Sequence, residues 1–274
     1  MRLKDLLRDK LSNTELNQLV QGFDLVGDMA ITIIPPALSH REGLIGDTIL
    51  ASNKRIKVVA KRDGVYQGEY RTIPLTIVAG EQRKETLHCE YGVRFLVNPE
   101  LVYFSVRSGS ERKRVADLVR PDEDVLVMFS GVAPYPLMIN KFSKAASIVG
   151  IESNPQAHDY GLTNQKLNKA EERVKLMCGN VDDVVPRLIG SFHRIVMPLP
   201  TGAIDFLPLA LKSLLPRGTI HCYDFQPLDG YGTSLNTILK MCRAAGREVL
   251  HTEHAICGHT SPGIKRICHD ILVE

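Results

Sequence analysis

A chain of 274 residues with 44% hydrophobic composition can bury a full α/β core and leave roughly 100 residues for a smaller second domain. Its formal net charge of +3 excludes a bulk polyanion binder but leaves room for local basic patches. The six cysteines lie far apart without a C-x-x-C pair, mostly in apolar runs, so they read as reduced core thiols of a cytoplasmic protein and not as a disulfide framework.

The opening stretch "MRLKDLLRDKLSNTEL" predicts one amphipathic, charged helix without the uncharged core of a signal peptide. No run reaches the 18 or so apolar residues of a membrane span, and a soluble, unprocessed chain is expected. From there to about residue 105 the chain reads as short strands: "DMAITIIP", "RIKVVAKR", "RTIPLTIVAG", "KETLHCEYG" and "VRFLVNPELVYFS". Turn letters separate them, and a helix is predicted over "SHREGLIGDTILASN". Residues 1–105 are therefore expected to form a small α+β domain.

From Glu111 strands and helices alternate, which implies a mostly parallel sheet covered on both faces in a second domain over 106–274. The pattern places strands at 125–129, 147–152, 173–178, 194–198 and 218–224, and helices near 111–119, 136–144, 155–167, 203–215 and 233–245. The last two apolar runs, "REVLHTEHAICG" and "GIKRICHDILVE", have no helix between them and must pair as a hairpin. Five β-α repeats closed by an antiparallel hairpin give a seven-stranded, Rossmann-like α/β sheet. That is the plan of class I S-adenosylmethionine (SAM) methyltransferases.

In such sheets ligands bind beyond the carboxyl ends of the strands, where strand order reverses. This puts Phe129 to Tyr135, including Gly131 and Ala133, at the site. A dinucleotide would need glycines where Ala133, Pro134 and Pro136 stand; SAM has no phosphate and tolerates the loop better. Glu152 at the end of the second strand is placed to accept from two ribose hydroxyls, with a solvated strand-end acid as the alternative. Asn180 either meets the adenine edge or is an ordinary turn residue. No metal is expected: His251 and His254, near His259, are an odd distance apart on a strand and face opposite sides. Of the consecutive His221 and Cys222, one is expected in the core and the other exposed.

The segments "EYGVRFLVNPELVYFSVRSGSERKRVADLV", "VMFSGVAPYPLMI", "IESNPQAHDYGLTNQKLNK" and "HRIVMPLPTGAIDFLPLALKSLLPRGTIHCYDF" resemble the archaeal and eukaryotic tRNA guanine-37 N1-methyltransferases. They also resemble that family's wybutosine-pathway relative, the tRNA aminocarboxypropyltransferase. The resemblance implies a small RNA-binding module ahead of a SAM-dependent methyltransferase domain, with tRNA as partner; no membrane partner is expected, and the oligomeric state stays open with a monomer favoured. The implied cofactor contacts are Phe129, Gly131, Ala133, Tyr135 (near the sulfonium, with a plain core tyrosine as the equal alternative), Glu152, Ser153, Asn180, Val181 and Pro198. The family's Ser-Pro-Arg stands here as Ser105, Val106, Arg107, which makes Arg107 the catalytic candidate for stabilising charge that develops toward O6. Its Glu-Arg-x-Arg stands as Glu111, Arg112, Lys113, Arg114, so the last three are expected to meet RNA phosphates. Lys54, Arg55, Lys57, Lys61 and Arg62 form a second basic patch. Asp205 and Glu111 are candidates for the general base. The chain departs from the family where its loop acid is Val127, its second loop glycine Ala133, its Gly-Asp becomes Gly179-Asn180, and its Asn-Leu-Pro becomes Pro198, Leu199, Pro200. These departures keep two alternatives open: aminocarboxypropyl transfer, and a non-catalytic RNA-binding member.

Overall fold

The computed structural model describes residues 3–199, 201–227, 230–261 and 263–274. The chain divides into two compact units, Met1–Val106 and Arg107–Glu274.

In the first unit the expected N-terminal helix is two helices, α1 (Leu3–Leu6) and α2 (Asn13–Gln18). The reason is a capping box: the Glu15 backbone N–H donates to Ser12 Oγ at 3.3 Å, and the Ser12 N–H donates back to the Glu15 carboxylate at 2.7 Å. Reciprocal capping starts a new helix there. The unit continues with β1 (Phe23–Val26), β2 (Met29–Thr32), α3 (Glu42–Ser52), β3 (Val58–Arg62), β4 (Leu75–Gly80), β5 (Thr86–Glu90) and β6 (Val93–Val97). Among the described residues β1 to β4 form one sheet in chain order, with β2 and β3 parallel across the α3 crossover. β5 and β6 form a separate hairpin, closed through Tyr91 and Gly92, both at positive φ (49° and 77°), as a two-residue hairpin turn requires. The long run after Val93 leaves the strand at Asn98, whose carbonyl accepts from the N–H groups of Leu101 and Val102. Leu7, Leu38, Ile45, Ile49 and Val59 are buried in the unit's core.

The second unit runs α4 (Gly109–Leu118), β7 (Asp124–Met128), α5 (Pro134–Phe142), β8 (Ser147–Glu152), α6 (Pro155–Leu167), β9 (Val174–Cys178), α7 (Val181–Val184), β10 (Phe192–Met197), α8 (Leu207–Ser213), β11 (Leu214–Pro227), α9 (Tyr231–Ala244), β12 (Val249–Ser261) and β13 (Ile264–Val273). Its described strands form a seven-stranded sheet in the order β12-β13-β11-β10-β7-β8-β9. β7 pairs in parallel with β8 and β10, while β13 is antiparallel to both β11 and β12. The expected sheet and closing hairpin are present. Helix 203–215 divides into a 3₁₀ turn over Ala203–Phe206 and α8, with Pro208 just inside the start of α8, where its missing N–H is tolerated. The short α7 was not legible in the periodicity. The buried stretch of β7, Val125 to Met128, is fully covered, so Val127 sits in packed core. No described helix is long and apolar enough to cross a membrane.

Candidate functional site

Chain order reverses beside β7, because the chain leaves it toward β8 on one side and later returns through β10 on the other. The loop leaving β7 is held in an unusual shape. Phe129, Gly131 and Ala133 have φ of 59°, 56° and 66°, the left-handed region that non-glycine residues enter at a cost of roughly 1–2 kcal/mol each. Such strain persists only where surrounding contacts over-determine it, and it clusters at functional sites.

Those contacts are visible. The Ser130 N–H donates to the Ile151 carbonyl at 2.7 Å, and the Ala133 N–H to the Ser130 carbonyl at 3.0 Å. Asn164, fully buried on α6, donates its side-chain amide to the Val132 carbonyl at 3.2 Å. Gly150 lets the loop sit down on β8, since a Cβ there would lie 3.0 Å from Ser130 Oγ; at Gly161 the tight contact of a Cβ would be with Leu176 Cδ1 at 3.2 Å, and Ala133 Cβ at 3.7 Å would be in ordinary contact. Gly150, Gly161 and Asn164 were missed by sequence reasoning. The spacing of Gly161 and Asn164 on one helix face was the signal available for them.

The strongest directed group is Glu152. Its carboxylate accepts from the Gly131 N–H at 2.6 Å and the Asn154 N–H at 2.9 Å. Burial raises its pKa above the ordinary value, against the backbone hydrogen bonds, which pull it down. An ionised carboxylate has about four acceptor positions, so with these two bonds made it keeps room for ligand hydroxyls. Glu152 is thus both the latch of the loop and a group able to receive a ligand hydroxyl. A Cβ built at Gly131 meets nothing within 4 Å; open space adjoins the latch. This loop, with Glu152 latched to its backbone, fits a neutral nucleoside with a cationic sulfonium better than a pyrophosphate.

The other expected contacts are more varied. Phe129 packs edge-on against Phe206, ring centroids 5.1 Å apart. Asn180 is exposed and caps α7 by accepting from the Asp182 N–H at 3.1 Å; its side-chain carbonyl does the work of a turn residue. Val181 is buried, Ser153 and Pro198 are half-buried, and Pro200 lies outside the described residues.

Tyr135 corrects the expectation of a ligand contact. It is 6% exposed, and its hydroxyl donates to Tyr223 at 2.9 Å, whose own hydroxyl donates to Glu111 at 2.6 Å. Burial drives the hydroxyl pKa of Tyr135 well up. It is a core tyrosine.

The expectation for Arg112 and Arg114 on α4 is corrected as well. Arg112 is 3% exposed and has no side-chain surface to offer a phosphate. Arg114 lies between two carboxylates, donating to Glu111 at 2.7 and 2.8 Å and to Asp270 at 2.5 Å. Lys113 pairs with Asp117 at 2.5 Å and lies 4.4 Å from the Phe142 ring centroid. Glu111, held by Arg114 and Tyr223, is committed to the interior and is a poor general base. Asp205 and Arg107 remain at exposed positions.

The network continues inward. Asp270 accepts from His221 Nδ1 at 2.6 Å, His221 Nε2 accepts from Arg194 at 2.7 Å, and Arg194 donates to Glu123 at 2.7 and 3.1 Å. The guanidinium partner fixes His221 as the Nδ1–H tautomer. His221 and Cys222 are both fully buried, against the expectation that one is exposed; the partners on β10 and β13 make a buried histidine tolerable. His221, Cys268 and Asp270 bring potential ligand atoms within 4.8 Å of one another. Both nitrogens of His221 are already engaged, one by a guanidinium. The side chain of His259 lies outside the described residues.

A mostly parallel seven-stranded sheet, closed by an antiparallel hairpin, with a ligand-shaped loop at the switch point and an acid at the end of the next strand, defines a class I methyltransferase domain. Comparison with known proteins agrees. A TRM5/TYW2 methyltransferase domain matches residues 86–250 and a TYW2 N-terminal domain matches residues 3–83, so the chain belongs to the TRM5/TYW2 family. It is 35% identical over 232 residues to tRNA (guanine(37)-N(1))-methyltransferase Trm5b of Pyrococcus abyssi, covering 84% of this chain and 68% of that protein. It is 33% identical over 157 residues to the tRNA(Phe) (4-demethylwyosine(37)-C(7)) aminocarboxypropyltransferase of Methanocaldococcus jannaschii, covering 57% and 61%. The crystal structure of Trm5b from Pyrococcus abyssi superposes with a TM-score of 0.88 at 32% identity, over 96% of this chain and 78% of that one.

Proposed function

We propose that this protein is a SAM-dependent tRNA methyltransferase that modifies N1 of guanosine 37. The observation that carries this reading is the 35% identity to a tRNA guanine-37 N1-methyltransferase across 84% of the chain, together with retention of Arg107 at an exposed position.

SAM supplies an electrophilic methyl group on a sulfonium. In the proposed assignment Glu152 receives a ribose hydroxyl, and the Phe129, Gly131 and Ala133 backbone shapes the wall beside it, joined by Ser153, Asn180, Val181 and Pro198. Methylation forms the N1–carbon bond and breaks the carbon–sulfur bond, and the N1 proton must leave. Asp205, exposed in the turn after β10, is the remaining candidate to receive it. Arg107, always charged and a multiple donor, stabilises the negative charge that develops toward O6 as the proton departs. The target base must leave its stack to be reached.

A second reading is favoured by one specific observation. The N-terminal residues 3–83 match a TYW2 N-terminal domain, which supports aminocarboxypropyl transfer, in which a different carbon on the same sulfonium is attacked. Incubation with unmodified tRNA and SAM labelled separately in its methyl and carboxyl carbons distinguishes the two. Methyl label entering the tRNA supports the first reading, and carboxyl label the second.

A further inference from the structure

The β3–β4 connection in the first unit presents aromatic and basic side chains beside Tyr103 that stay partly exposed. Residues 63–74 form a closed hairpin. The Asp63 N–H donates to the Pro74 carbonyl at 2.9 Å, Gln67 and Thr72 exchange backbone hydrogen bonds at 2.9 and 3.2 Å, and the Arg71 N–H donates to Gly68 at 3.2 Å. Gly64 and Gly68, at φ of 112° and 69°, allow the tight path. The tip is therefore a fixed presentation rather than a loose loop.

On it stands an ordered stack. The Tyr66 and Tyr103 rings meet edge to face at 5.7 Å. The Arg62 guanidinium lies 5.6 Å from the Tyr66 centroid and that of Arg71 lies 4.9 Å from the Tyr103 centroid. Both rings nonetheless keep about two fifths of their surface in water (40% and 39%), as does Tyr70, and Val65 is 72% exposed. A contiguous exposed patch of aromatics marks an interaction surface, whereas isolated apolar residues do not.

Charge narrows the partner. Residues 54–71 hold six basic side chains (Lys54, Arg55, Lys57, Lys61, Arg62, Arg71) and two acidic ones (Asp63, Glu69), a net of +4 beside +3 for the whole chain. Lys61 and Arg62 are paired internally with Glu42 and Asp24 at 2.7 Å each. Lys54, Arg55 and Lys57 remain exposed at the other end of β3, which as a five-residue strand is about 17 Å long. Aromatic faces interleaved with guanidinium planes, next to a separate set of lysines and arginines, match an unpaired nucleic-acid strand. Bases stack on rings and guanidinium groups whatever their sequence, while the cations meet phosphates.

We propose that Tyr66, Tyr103 and Arg71 form a stacking platform for unpaired RNA nucleotides, with Lys54, Arg55 and Lys57 meeting the adjoining phosphates. The platform rests on the reading of tRNA as substrate and adds a second point of attachment to it, on the first unit.

The test uses the full chain with Tyr66→Ala/Tyr103→Ala and, as the ring-preserving control, Tyr66→Phe/Tyr103→Phe. Dissociation constants are measured for an unmodified tRNA transcript, for a single-stranded RNA octamer of adenosines, and for that octamer paired with its complement. The alanine variant is expected to bind the transcript and the single strand roughly five- to a hundredfold more weakly, with the phenylalanine variant close to wild type and duplex binding unchanged. Wild-type affinity of a folded alanine variant for the single strand overturns the platform. So does an equal loss on the duplex, which would mean the rings serve only the shape of the unit. If the double alanine variant does not fold, Tyr66→Leu alone, at the hairpin tip, is read with the same expectations. Group transfer by the wild-type protein is assayed separately. Absence of transfer with the binding differences intact counts against the substrate reading and leaves the platform standing, whereas a wild-type protein that binds neither RNA overturns both.

Discussion

Removing the Glu152 side chain separates its two roles in magnitude. In Glu152→Ala the N–H groups of Gly131 and Asn154 lose their acceptor, and a ligand hydroxyl loses a charged partner. A hydrogen bond to a charged group contributes about 1.5–3 kcal/mol, so loss of one such bond to the ligand weakens cofactor binding roughly ten- to a hundredfold. Glu152→Gln is expected to be intermediate in fold stability, since its carbonyl can keep one N–H while its amide opposes another. The assay is titration calorimetry with SAM and with its demethylated product, alongside thermal melts of each variant. Equal affinity of wild type and a folded Glu152→Ala for both ligands would refute the assignment of Glu152 to the cofactor and leave it a latch alone.

Arg107→Ala is expected to lower turnover about a hundredfold while nearly preserving tRNA affinity, read from single-turnover rates and filter binding. Lys113→Ala should leave the salt dependence of tRNA binding unchanged, because its ammonium is already paired with Asp117, whereas Arg114→Ala strands two carboxylates and should destabilise the fold by about 3 kcal/mol in urea titrations. Ala133→Gly relieves a left-handed φ of 66° and should raise stability by up to about 1 kcal/mol net of the entropy glycine adds to the unfolded chain; a melt that falls contradicts this. Acidification should destabilise the protein in two stages. Burial holds His221 below its ordinary 6.5, so its contribution is complete above pH 6.5 and declines below it. Asp270, which burial pushes up but His221 and Arg114 hold well below the ordinary 3.8, contributes fully above 3.8 and loses that contribution further down. Glu152, raised by burial, acts in the opposite sense just above 4.5. His221→Asn should flatten the first stage of the melt-versus-pH curve.

The architecture was legible where period and punctuation agree. β8 and α6 fall at the expected 147–152 and 155–167, since each is bounded by a strand-end acid or an Asn-Pro start. The N-terminal split was not, because the Ser12–Glu15 box is a local hydrogen-bonding event inside an otherwise continuous helical pattern. At the site, Glu152 could be found from its place at a strand end. Its capture by the backbone N–H groups of Gly131 and Asn154 depends on how the β7 loop folds back, in which Gly150 and Asn164 take part from elements far along the chain. The reading of α4 failed for the same reason. Arg112, Lys113 and Arg114 look like a basic run, and only the tertiary structure shows Arg112 buried and Arg114 ion-paired to Asp270, while Lys113 pairs at the surface with Asp117. Ala133 in place of a family glycine is the reverse case: the residue type disfavours the left-handed turn, and the surrounding contacts impose it.

The central claim is methyl transfer to N1 of guanosine 37, and nucleoside analysis of a tRNA transcript after incubation with this protein and methyl-labelled SAM tests it most directly. Label is expected in 1-methylguanosine at position 37 with wild-type protein, and about a hundredfold slower labelling with Arg107→Ala. Carboxyl label in the tRNA instead, or no transfer by a protein that binds both tRNA and cofactor, would contradict it.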